Sequence, residues 1–161
     1  MAATYEDIQI NPNSLSNYGF SKYIAELLVK KYEKEWLILR LGGMVGDNMK
    51  KNATYDILHL KKLFISGKSK LQFINTEDVA IISKRLVEAG KWRETYNIVG
   101  EGNIELKEIA RLAGIKLSSQ GDEIKLYNVS HEKLSRFTKV PKTEDTIRHF
   151  ILKELMRMDT S

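Results

Sequence analysis

Cysteine is absent from the 161 residues, which excludes disulfides and thiolate metal sites. Prolines number only two: Pro12 closes an irregular opening segment, and Pro141 breaks the chain before a last helix. No apolar run approaches the ~20 residues that span a bilayer. Met1 to Gln9 lacks the basic and apolar regions of a signal peptide. No membrane partner is expected, and a cytoplasmic location is the default. His59, His131 and His149 stand far apart without ligand spacing, so no metal is expected. No long basic stripe with interleaved aromatics occurs either, and nucleic acid is not an expected partner. Lys30–Lys31, Lys50–Lys51 and Lys61–Lys62 read as solvated surface, and the net charge of +5 suits an anionic small ligand better.

What is present is ordinary for a globular chain: 42% hydrophobic and 29% charged residues, enough for one domain spanning 1–161. Ser14 or Ser16 can cap a helix running to about Lys34, with Ile24, Leu27, Leu28 and Lys31 at helical spacing. Trp36 to Leu41 has the composition of a buried strand. It runs into Gly42, Gly43 and Gly46, which permit tight turns. A helix is predicted over 52–62. Leu63–Ser66 and Leu71–Ile74 form a predicted hairpin about Gly67–Ser69. Asn75 or Thr76 opens a helix ending near Gly90, and Glu94–Val99 reads as a strand. Helix 105–112 follows. After the polar connection 115–123 come a strand over 125–129, a short helix capped by Ser130, and a final helix capped by Thr143. In that final helix Ile147, Phe150, Ile151 and Leu155 face inward. Alternating strands and helices predict an α/β fold.

Tyr18-Gly19-Phe20-Ser21-Lys22 carries the chemistry. Side chains four apart share a helix face, with Cβ atoms roughly 5–6 Å apart. An ammonium beside a phenol favours the phenolate, and such a phenol can exchange a proton with a hydroxyl or carbonyl oxygen. By itself the pattern is short, and most such tyrosines merely pack a ring while the lysine is solvated.

The order of motifs resembles the C-terminal half of extended short-chain dehydrogenase/reductases, the NAD-dependent epimerase/dehydratase family. Asn11-Pro12, Tyr18 to Lys22 and Ala25-Glu26 are similar to its catalytic helix. Leu39-Arg40 running to Gly46 is similar to the next strand and loop. Phe73-Ile74 with Glu77-Asp78-Val79-Ala80 matches a later strand-to-helix junction. Tyr96-Asn97-Ile98 with Gly100 and Gly102, then Pro141 and Thr143, complete the set across residues 11–151.

The resemblance implies part of a Rossmann-like parallel sheet with a small α/β substrate-binding lobe. It implies Tyr18 as the acid/base and Lys22 as the residue that meets the nicotinamide ribose and tunes the tyrosine. Both would contact NAD or NADP, and the backbone of Leu41, Gly42, Gly43 and Met44 would border the nicotinamide. The implied substrate is a nucleotide sugar or a related hydroxyl or carbonyl compound. No glycine-rich dinucleotide turn precedes Tyr18, so the chain is expected to lack the pyrophosphate site and to be inactive alone. The family's serine or threonine lies upstream, and its role does not pass to Thr4. Two positions depart from nucleotide-sugar members: Gly43 stands for a frequent asparagine, and Leu71-Gln72 for a frequent arginine. An open sheet edge near Leu37–Leu41 predicts a homo-oligomer or a complementary N-terminal half as partner. The alternative is a non-catalytic binding or assembly module. Arg40 either pairs with a carboxylate or reaches a phosphate. Asp78 reads as a helix-terminal carboxylate ahead of an acid catalyst.

Overall fold

The computed structural model describes residues 3–47, 52–60, 62–117 and 121–158. The expected Lys50–Lys51 surface pair, Lys61 and part of the connection 115–123 lie outside them. Helix α1 (Asn17–Tyr32) starts where Ser16 Oγ accepts from Gly19 N at 3.1 Å, so of the two serines it is Ser16 that caps. Strand β1 (Leu37–Leu41) leads through Gly42 into β2 (Gly43–Val45). Asn52 caps the short α2 (Ala53–Leu58), its Oδ1 accepting from Tyr55 N at 2.9 Å. Gln72 alone separates β3 (Lys70–Leu71) from β4 (Phe73–Asn75). Asn75 Oδ1 accepts from Glu77 N at 2.8 Å and opens α3 (Thr76–Glu88). Then come β5 (Glu94–Ile98), β6 (Ile104–Glu105), α4 (Leu106–Leu112), α5 (Glu132–Ser135) and α6 (Thr143–Met158).

β1 pairs with β5 in parallel, and β2 with β4 in parallel, whereas β3 and β6 are antiparallel. Parallel pairing demands crossovers, and α3 occupies the connection from β4 to β5. The fold is therefore α/β with parallel strand pairs, as the alternation of elements implies. Gly42 marks the hand-over between two partners: its N–H still bonds Ile98 O at 3.0 Å, and the next residue already faces Phe73.

Several local expectations change. Leu63–Ser66 is not a strand and no hairpin forms. Ser66 N donates to Glu123 O and Lys70 N to Lys125 O, each at 2.8 Å, so this segment finds distant backbone rather than its neighbour. Residues 125–129 contribute only single bridges, Lys70 with Leu126 and Thr4 with Val129. Ser130 Oγ does accept from Glu132 N at the head of α5. Thr143 is the first residue of α6, but its hydroxyl bonds backbone of Phe73 and Gly102 and ties the helix to β4. Gly42, Gly43 and Gly46 are not left-handed turn residues. They permit close approach: a Cβ on Gly43 would lie 2.7 Å from Gln72 O.

The core has two parts. One unites Val45, Ile57, Phe73, Leu106, Ile109, Ile147 and Ile151 between α2, α4 and α6. The other unites Ile74, Ile82, Leu86, Tyr96, Ile98 and Leu134 across β4, β5, α3 and α5. Helix α1 belongs to neither and has no buried residue. Its half-buried positions are Gly19, Tyr23 and Glu26, which share one face. At about 100° per residue, the apolar stripe of Phe20, Ile24, Leu27 and Leu28 lies roughly a third of a turn away. Those four are 37–50% exposed, so the apolar stripe of α1 does not face the core.

Candidate functional site

The carboxyl ends of β1 and β5 border an apolar cavity of about 450 Å³. Such a position, beyond the ends of parallel strands, is where open α/β sheets bind ligands. Leu41, Gly42, Gly43 and Met44 all line it, so the structure gathers the whole segment for which nicotinamide contact was expected. Leu71, Gln72, Phe73, Asn97, Val99, Tyr127 and Val129 form much of the remaining wall.

Four polar side chains of this wall, Arg40, Gln72, Asn97 and Asn52, bond to the protein itself. Arg40 donates from Nε and Nη2 to the two carboxylate oxygens of Glu26 at 2.9 and 2.8 Å, and from Nη1 to Glu6 O at 3.1 Å. That fork geometry settles the choice left by the sequence: Arg40 pairs with a carboxylate and fastens α1 to β1. The bond to Glu26 raises the guanidinium pKa further, against partial burial. Gln72 Nε2 donates to Gly100 O and Val129 O, and its Oε1 accepts from Val129 N at 2.7 Å. Asn97 Nδ2 donates to Thr4 O and Ser130 O, while its backbone N–H meets Glu6 Oε1 at 2.9 Å. Asn52 Nδ2 holds Met44 O at 2.9 Å.

Tyr18 and Lys22 lie on the flank of α1 opposite its apolar stripe. Lys22 Nζ stands 5.4 Å from the centroid of the Tyr18 ring, within cation–π range. Tyr18 is 74% exposed, and neither residue is among those lining the cavity. Ser21 Oγ donates to the backbone carbonyl of Tyr18 at 2.8 Å. The structure thus brings the two side chains together, and separately assembles Leu41–Met44.

A second, polar cleft of about 780 Å³ includes Asp78, Glu101, His131, Lys142 and His149. Burial, reinforced by Glu77, raises the Asp78 carboxyl above the usual range. Asp78 is in the first turn of α3, where the helix dipole favours a negative charge. Among the described residues no group of His, Asp or Glu is arranged to hold a metal ion. Nor is any described helix long and apolar enough to cross a membrane.

Sequence reasoning missed Gln72, Asn97, Tyr127 and Val129. Gln72 had a legible signal, a lone amide inside Leu71-Gln72-Phe73-Ile74. Tyr127 and Val129 had none, since long-range bonds to Lys70 O and Gln72 bring them to the wall.

No family profile matches the chain, and no curated protein matches it in sequence. Solved structures do match. A dTDP-4-dehydrorhamnose reductase from Clostridium acetobutylicum superposes with a TM-score of 0.77 at 18% identity, covering 98% of this chain and 61% of the reductase. A UDP-galactose 4-epimerase gives 0.75 at 14% identity, covering 96% and 58%. A dTDP-glucose 4,6-dehydratase from Bacillus anthracis, in complex with NAD, gives 0.72 at 18%, covering 94% and 55%. The fold is that of these enzymes. The chain spans little more than half the length of each, 55–61% in these three.

Proposed function

We propose that this chain is the catalytic-helix portion of an NAD(P)-dependent epimerase, dehydratase or reductase. Its substrate is a nucleotide sugar or a related hydroxyl or carbonyl compound. The observation that carries this reading is the pairing of Lys22 with the Tyr18 ring on α1, fastened through Glu26 and Arg40 to the strand whose end lines the cavity. In this reading Tyr18 exchanges a proton with the substrate oxygen, and Lys22 supplies the cation that favours the phenolate. A nicotinamide cofactor, when bound, takes or gives the hydride. The uncharged wall of Leu41–Met44 fits the nicotinamide end of such a cofactor. It offers nothing for the pyrophosphate, which needs backbone N–H groups of a glycine-rich turn.

The partner in this reading covers the outer edge of β1, which no described strand pairs, together with the exposed stripe of α1. A complementary dinucleotide-binding half would do this, as would a second copy of the chain. The exposure of Tyr18 outside the cavity supports a second reading, in which the fold is kept for binding or assembly alone.

Titration calorimetry with NAD(H) and NADP(H) tests the proposal. Binding is expected only when a glycine-rich dinucleotide-binding half is supplied, and turnover of a nucleotide sugar or related substrate should then appear. Tyr18→Phe should reduce that turnover by about 10²-fold or more. Turnover untouched by Tyr18→Phe would remove the assigned chemistry, and tight cofactor binding by the chain alone would contradict the proposed need for a dinucleotide-binding half.

A further inference from the structure

The polar cleft of about 780 Å³ shares no lining residue with the cavity at Leu41–Met44. Its walls are the first turns of α3 and α6, the loop 138–142 between α5 and α6, and Glu101 beyond β5. Two backbone bonds brace them: Glu101 N donates to Pro141 O at 2.9 Å, and Thr143 N to Glu101 O at 2.8 Å.

The charges of this cleft are unspent. Asp78, Glu101 and Asp145 bring three carboxylates, and Lys139 and Lys142 bring two ammoniums. Among the described residues none of the five has an ion pair or a side-chain hydrogen bond. Glu101 and Lys142 face each other as bridge partners along the backbone, yet their side chains do not close into a pair. Elsewhere such groups find one another: Glu105 holds Lys107 at 2.7 Å, and Asp47 holds Lys153 at 2.9 Å and Arg157 at 3.0 Å.

Two groups carry an unmet demand. Asp78 is half-buried, and a carboxylate that loses water without gaining a partner is costly. Thr146 lines the cleft and is only 8% exposed, and among the described residues its hydroxyl has no hydrogen-bond partner. Two other short polar side chains are taken: Asn75 Oδ1 caps α3, and Thr138 Oγ1 accepts from Arg85 Nη1 at 3.1 Å.

The charge balance indicates the ligand. Three carboxylates stand with two ammoniums and the N-terminal ends of two long helices, each end worth about half a positive charge. These nearly cancel. A ligand of one sign meets about as much repulsion as attraction, whereas a ligand that carries both signs can satisfy both sets.

We propose that this cleft binds a small zwitterion of the amino-acid type, its ammonium directed to Asp78 and the Thr146 hydroxyl and its carboxylate to Lys139 and Lys142. The ammonium donates to both of those oxygens, and the lysines donate to the carboxylate. A space of about 780 Å³ is within the range of small-molecule sites. Neither Tyr18 nor the wall at Leu41–Met44 takes part, so this site stands or falls separately from the catalytic reading.

The test uses the full chain and needs no turnover. Amide correlation spectra are followed during titration with glycine, γ-aminobutyrate and ε-aminocaproate, which hold the two charges at increasing separation. Saturable shifts centred on the amides of Asp78, Lys142 and Thr146 are expected with at least one of them. Hexylamine and hexanoate carry the same charges singly and should bind at least tenfold more weakly. Asp78→Asn should weaken the best zwitterion at least tenfold, and so should Lys139→Gln combined with Lys142→Gln. Circular dichroism checks that both variants fold, and the single-charge ligands decide the matter on the unaltered chain if one does not. Binding of hexylamine or hexanoate as tight as that of every zwitterion would overturn the proposal. So would shifts that never saturate, or zwitterion binding undiminished in either folded variant.

Discussion

Helices α1 and α6 both run sixteen residues, yet one is built into the molecule and the other lies on it. α6 buries Ile147, Phe150 and Ile151 completely or nearly so, against α4 and β4. α1 buries no residue fully, and its Ile24, Leu27 and Leu28 remain between 37% and 50% exposed. Both carry apolar residues at helical spacing. The difference is what lies opposite: α6 fills a groove between packed elements, whereas α1 sits at the outer strand of a two-stranded pair and is held by the Arg40–Glu26 fork. An apolar stripe states a demand for a partner, and here that demand is met at one end of the chain only.

The sharpest way to break this contrast is by truncation. Ile147→Ala should cost about 2–5 kcal/mol in urea unfolding, since it empties a fully enclosed site. Leu28→Ala, the matched change in α1, should cost less than about 1 kcal/mol. Equal losses would mean that α1 is covered in solution. Next comes the fork. Glu26→Gln should cost about 1–3 kcal/mol, the scale of a hydrogen bond to a charged group. It should also speed amide hydrogen exchange in α1 while α6 stays protected. Uniform acceleration in both helices would remove the picture of one fastened and one embedded helix.

The smallest effect at neutral pH belongs to Tyr96, in the embedded half. Burial first, and then the bond to Glu94, pushes its phenol from the ordinary 10.0 up to about 12. The folded state thus holds its proton more tightly than the unfolded chain does. Stability from this group is complete below pH 10.0 and drains away as pH rises toward about 12. Tyr96→Phe should flatten that alkaline limb in a series of melts and at pH 7 should cost only the one hydrogen bond to Glu94, about 1 kcal/mol. An unchanged limb would show that the phenol titrates as it does in the open chain.

Much of the fold was legible because local rules agreed with the outcome. Ser16 and Asn75 mark helix starts through oxygens that accept from the next turn. The apolar run over 37–41 and the strand read over 94–99 became the paired strands β1 and β5. The hairpin expected about Gly67–Ser69 failed because residues 66–70 bond with 123–125, a contact that no local pattern encodes. The candidate site divides the same way. Tyr18 and Lys22 are near one another because one helical turn separates them. Gln72 meets Val129 only because the chain folds back across 57 residues.

The sequence by itself determined the α/β alternation, the helix caps and the adjacency of a phenol and an ammonium, since each depends on residues within a few positions. Tertiary structure alone decided that Arg40 is spent on Glu26, that the wall at Leu41–Met44 is neutral, and that the stripe of α1 is left uncovered. Charge compensation and burial depend on which distant groups arrive at a place, and spacing along a chain does not record that.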